Sequence, residues 1–181
     1  MFVAKPHSKR NGRDSEGQAL VEFAFIVPLV FLLIVNTVNF GGFLYDAITV
    51  ASAARAGAQY AALGVSSVQY PPLATFSQVQ AVVQTETSSL ANYSSTNPVV
   101  TVCVNNNGTQ SVLSSSPAVA CTTAPTDPEF ATGTVPFTCV AVDVTYTYSP
   151  FIPLFDFPSL GIHATIPTTA IHRRAIMRVL N

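Results

Sequence analysis

The sequence predicts an α+β protein: a long N-terminal helix, transmembrane in its first half and packed at its outer half on a small antiparallel sheet, plus a second short helix. Three observations predict it. An apolar run from Phe23 to Val38 sits inside a longer helical pattern, and Thr138 to Tyr148 alternates strictly between apolar and other residues. The charges, only 9% of the 181 residues, are distributed very unevenly. So low a charge content excludes a nucleic-acid binder, which needs a basic stripe, and argues against an ordinary cytosolic enzyme.

The first element is a basic leader, residues 1–17, holding Lys5, Lys9, Arg10 and Arg13 against Asp14 and Glu16. The apolar run follows, with Asn36 and Thr37 its only polar residues. With Ala19-Leu20-Val21 before it and Phe40 to Leu44 after it, it spans about 30 Å of hydrocarbon. No Lys or Arg occurs from Ala56 to His172. By the positive-inside rule the N-terminus is cytoplasmic and the C-terminal part extracytoplasmic. A cleaved secretory signal is the rival, with Ala51-Ser52-Ala53 as its site. Yet signal h-regions run to about 15 residues and carry no acid, whereas this one is longer and contains Glu22.

The helical pattern runs on from Gln18 to about Leu63, about 70 Å at 1.5 Å per residue, so its second half projects from the membrane. There Ala47, Ala51, Ala54, Ala58 and Ala62 form a smooth face, suited either to the protein's own outer domain or to another subunit. Gly64 and Tyr70-Pro71-Pro72 end the helix, and the outer domain occupies 64–181. A second helix is expected over Phe76–Leu90, with Thr75 as its cap and Phe76, Val79, Val82, Val83 and Leu90 on its apolar side. Val99–Val104 predicts a strand, followed by a turn at Asn105-Asn106-Asn107-Gly108. Ser111–Thr134 predicts a loop with at most one short strand.

In the Thr138–Tyr148 strand, Val140, Val142, Val144, Tyr146 and Tyr148 face one way, and Asp143, Thr145 and Thr147 the other. Asp143 is expected to be solvated. A last extended run is expected over Ile162–Ile171, and His172-Arg173-Arg174 with Arg178 as a basic, solvated tail. Cys103, Cys121 and Cys139 all lie in the exported part, where one disulfide is expected and three pairings are open.

The most informative stretch is Glu16-Gly17-Gln18-Ala19-Leu20-Val21-Glu22-Phe23. A carboxylate in an apolar helix costs up to about 2.5–3.5 kcal/mol at the bilayer centre and less near an edge, so Glu22 needs a partner. If the chain were cut after Gly17, the new α-amine on Gln18 would lie one helical turn from Glu22. A neighbouring subunit's amine serves equally once helices pack side by side. Alternatively Glu22 rests in the first turn and snorkels to the headgroups.

Gly17 to Ala62 resembles the TadE family of pseudopilins of the Flp/Tad tight-adherence pilus system. The resemblance is carried by GQALVEFAFIVPLVFLL, by Phe40-Gly41-Gly42-Phe43-Leu44-Tyr45 and by Ala53-Ala54-Arg55-Ala56-Gly57-Ala58. It implies a pilin-like fold, a prepilin peptidase cutting between Gly17 and Gln18, and Glu22, followed by Phe23, at the fifth position of the mature chain. It implies a role in assembling the pilus at the bacterial inner membrane, with the bilayer, the peptidase, other pilin or pseudopilin subunits and Tad assembly proteins as partners. The bulk of a head over 64–181 suits a minor component better than a repeating shaft subunit. Pro28 matches the proline such helices often carry, where the lost hydrogen bond to Ala24 kinks the span. Arg55 matches a family arginine, while Gln59 stands where a second one is usual.

No catalytic motif is present: no G-x-S-x-G, no H-E-x-x-H and no phosphate loop. No metal site, cofactor, nucleic acid or small-molecule substrate is expected, and the protein is expected not to be an enzyme. The alternatives are an unprocessed, membrane-anchored extracytoplasmic binding module and a secreted enzyme freed by signal peptidase.

Overall fold

The computed structural model describes residues 13–64, 74–106, 109–116, 138–154, 156–157 and 162–179. Helix α1 runs from Arg13 to Leu63 as a single element of 51 residues, with Pro28 inside it. It ends as expected at Gly64, which adopts φ 67° and returns its N–H to the Tyr60 carbonyl at 3.2 Å. Helix α2 spans Phe76–Thr87, with Thr75 as its N-cap; the Gln78 side chain reaches back to accept the Thr75 N–H at 3.0 Å. It is shorter than the expected Phe76–Leu90, and Leu90 is buried in the turn beyond it.

Strands β1 (Val99–Asn106), β2 (Thr109–Ser116), β3 (Thr138–Tyr148) and β6 (Thr169–Arg178) form one antiparallel sheet in the order β2-β1-β3-β6. Between β3 and β6, β4 (Asp156–Phe157) and β5 (Ile162–His163) make a separate small hairpin. The one short strand that the loop reading from Ser111 allowed is β2, which starts earlier, at Thr109, and whose Ser/Thr-rich composition suits a sheet edge. Another expectation is corrected: the last extended run divides. Pro167 lies in the break before β6, and β6 carries the supposed basic tail as an edge strand paired with β3 throughout.

Both helices contribute to one core against the sheet. Val140, Val142, Val144, Tyr146 and Tyr148 are all fully buried, as the alternation requires, and meet Val50, Ala53, Ala54 and Ala58 of α1 and Val79 and Val83 of α2. Thus the small face of α1 packs on the protein's own head at Ala47, Ala54 and Ala58, while Ala51 and Ala62 remain part-exposed. Small side chains bring the helix close to the sheet. A Cβ built on Gly57 would stand 2.8 Å from Val83 Cγ2 and 3.3 Å from Val142 Cγ1, at the junction of α1, α2 and β3. On the opposite sheet face, Cys103, Cys139 and Ala141 form a second, smaller buried cluster with Ile176.

Candidate functional site

The first half of α1 is bare. Every residue from Gly17 to Ile34 is exposed, Phe25 to 77%, and the first buried residue is Val35. Eighteen residues at 1.5 Å each give about 27 Å, close to the thickness of a hydrocarbon core. Glu22 and Phe23 lie near the start of this stretch, both exposed, and Gly17 has nothing within 4 Å of a built Cβ. The helix passes through Gly17-Gln18 without interruption, having begun at Arg13. Helical periodicity places Glu22, Ile26, Leu33, Phe40, Leu44 and Arg55 along one side of α1, and all six are exposed.

The head takes hold of α1 just above the bare stretch through two asparagines. Asn39, fully buried, donates from Nδ2 to the Ile152 carbonyl at 2.9 Å and accepts the Ile152 N–H on Oδ1 at 3.0 Å. The Asn39 carbonyl in turn accepts the Tyr148 hydroxyl at 2.8 Å. Asn36 Nδ2 donates to the Ala164 carbonyl at 3.0 Å. Phe43 meets Tyr148 edge-on with ring centroids 5.4 Å apart, and a Cβ on Gly42 would collide with the Phe151 ring. The apolar helix therefore carries amides where a loop must be held and a glycine where an aromatic ring must pass.

Higher up, a groove on the uncovered side of α1 is lined by Leu44, Ile48, Ala51, Ser52, Arg55 and Arg173. Strand alternation explains how a run of three basic residues reaches two places. Arg173 lies opposite Val144 on the helix-facing side of the sheet, whereas His172 and Arg174 turn to the far side. There Arg174 lies directly opposite Asp143 in register, with Nε 3.8 Å from Oδ1, and His172 Nε2 is 3.3 Å from the same oxygen. Asp143, expected to be solvated, has a side chain only 13% exposed and sits beside the Arg174 guanidinium and the His172 ring. Pairing with β6 brings it there, which the sequence of β3 alone could not indicate.

Asp46 is the buried carboxyl of α1, 2% exposed. Its Oδ1 has no hydrogen-bond partner among the described residues. Burial pushes its carboxyl above the ordinary carboxylate value, opposed by a hydrogen bond from Tyr146, whose hydroxyl accepts the Asn92 N–H at 2.9 Å. Burial also raises the phenols of Tyr146 and Tyr148, with the charge of Asp46 adding to both. A carboxyl raised on folding favours the folded state below its unfolded value, near pH 4, and that contribution is lost as pH rises through the folded value. Asp46→Asn should therefore stabilise the head more at pH 8 than at pH 5, measured by thermal melts of both proteins at both pH values.

Of the three cysteines, Cys103 and Cys139 stand on neighbouring strands β1 and β3, both fully buried. Cys121 lies outside the described residues. Among the described residues no group of three or more His, Cys, Asp or Glu is arranged to hold a metal ion.

Among the described residues α1 is the one helix long and apolar enough to cross a membrane. The class so defined is a protein with one membrane-length apolar helix among its described residues and an α+β head clasped to the C-terminal half of that helix. Residues 17–59 match the family model described as TadE-like protein, a segment lying wholly within α1. That match points to a component related to Tad/Flp pilus systems. No curated protein and no solved structure matches the chain.

Proposed function

We propose that the protein is a minor pilin- or pseudopilin-like subunit of a Tad/Flp-type assembly. It acts without catalysis, by helix–helix packing after a prepilin peptidase cuts between Gly17 and Gln18. The carrying observation is the division of labour along α1. The TadE-like segment begins at Gly17, where the helix is bare, and Glu22 stands exposed on a stripe that stays exposed among the described residues. Removal of the basic leader would free the helix from its cytoplasmic charges, leaving the Gln18 amine and Glu22 to pair within or between subunits. The head is bulky relative to one helix, which suits a tip or base position better than a repeating shaft. In this reading the helix resides in the inner membrane, with its N-terminus cytoplasmic and its head outside.

One observation favours a second reading, an unprocessed membrane-anchored binding module. The bond between Gly17 and Gln18 lies within continuous helix, and a peptidase must open that turn to reach it. Mass spectrometry of the N-terminus of the membrane-extracted protein tests both. The subunit reading expects a start at Gln18. An intact leader would favour the module, and a start beyond Ala51–Ala53 would show signal-peptidase release instead.

A further inference from the structure

We propose that the base of the head is sunk into the outer leaflet of the membrane, with Phe151 and Ile152 among the lipid acyl chains. This rests on α1 spanning a bilayer, but not on processing or pilus assembly. Glu22 marks the innermost depth at which a charge meets headgroups. A hydrocarbon core of about 30 Å, twenty helical residues, then carries the outer boundary to about Gly42. Gly42 is where the Phe151 ring lies against α1, and Asn39, one turn nearer the membrane, holds Ile152. The head thus grips its helix below the level at which the hydrocarbon ends.

Three observations agree with that depth. Phe151 and Ile152 are 50% and 39% exposed on the head, an unusual position for two large apolar side chains in a loop facing water. Residues 149–154 and 164–168, the described loop residues at this end of the head, include no Asp, Glu, Lys or Arg. Most tellingly, backbone groups of Ile152 and Ala164 bond to the amides of Asn39 and Asn36. Non-helical backbone at membrane depth requires protein partners in place of water, and these amides provide them. Tyr45, exposed one turn above Gly42, occupies the interfacial level where tyrosine is enriched.

The chain contains no tryptophan, so Phe151→Trp installs a sole reporter. The full chain carrying it is placed in phosphatidylcholine vesicles, with or without bromine on the acyl chains near the headgroups. The expected result is blue-shifted emission and at least a twofold loss in the brominated vesicles. Phe31→Trp, near the middle of the span, should be quenched when the bromine is placed near the acyl-chain ends instead. Leu63→Trp, about 31 Å beyond Gly42 along the helix, should not be. Red-shifted emission from Phe151→Trp, quenched by aqueous iodide and not by bromolipid, would overturn the proposal while a quenched Phe31→Trp left the span intact. A concentration-dependent blue shift without bromolipid quenching would also overturn it, assigning the same surface to another protein subunit.

Discussion

Asn39→Leu should separate the head from its helix, with a loss of folding free energy on the order of 2–5 kcal/mol. Asn39 itself is fully buried, and the substitution removes two hydrogen bonds and leaves the part-buried Ile152 N–H and carbonyl without partners, each at about 1–3 kcal/mol. Leucine has the better helix propensity and suits an apolar helix, so on local grounds alone the change would be harmless or helpful. The two arguments predict opposite signs. Thermal unfolding of the full chain in detergent, followed by circular dichroism, decides between them. Asn36→Leu is the matched comparison. It removes one bond from a part-buried site and should cost only about 1 kcal/mol. An Asn39 variant no weaker than the Asn36 variant would contradict the clasp.

The second large effect concerns assembly. Glu22→Ala should abolish incorporation into pili while leaving membrane insertion intact, since a carboxylate at headgroup depth carries little of the cost it would have at the bilayer centre. Membrane fractionation reads the first quantity, and the amount of protein in sheared, purified pili reads the second. Ala for Leu33, on the same exposed stripe, removes packing surface but no charge and should weaken incorporation only partially. Equal effects of the two changes would mean that bulk packing, not the carboxylate, decides assembly.

What could be read from the sequence followed from the strength of each periodic signal. Helix α1 was visible because its apolar run is long and Gly64 stops it, and β3 because one of its faces is continuously apolar. The edge strands were not. In β2 the residues are mostly Ser and Thr, so there is no apolar alternation to detect, and in β6 the run His172-Arg173-Arg174 masks the alternation of Ile171, Ala175 and Met177. Glu22 stood out as an acid among apolar residues. Asn36 was conspicuous for the same reason, but what Asn36 and Asn39 hold is fixed by tertiary structure, since Ala164 and Ile152 lie 128 and 113 residues away. The opposite fates of Arg173 and Arg174 needed the register of β6 on β3.

The contact between α1 and the head has a mechanical consequence. Along β3 it runs from Asn39 beside Tyr148, the last residue of that strand, past Gly57 beside Val142 to Ala61. Helix and strand therefore lie alongside one another for about 33 Å. A pull along the helix axis loads that seam in shear, so the rows of alanine and valine contacts share the force together and do not open one at a time. The amide bonds of Asn36 and Asn39 lie at the end nearest the bare stretch and carry the first of the strain. A subunit drawn out by its helix would bring its head along as one rigid piece.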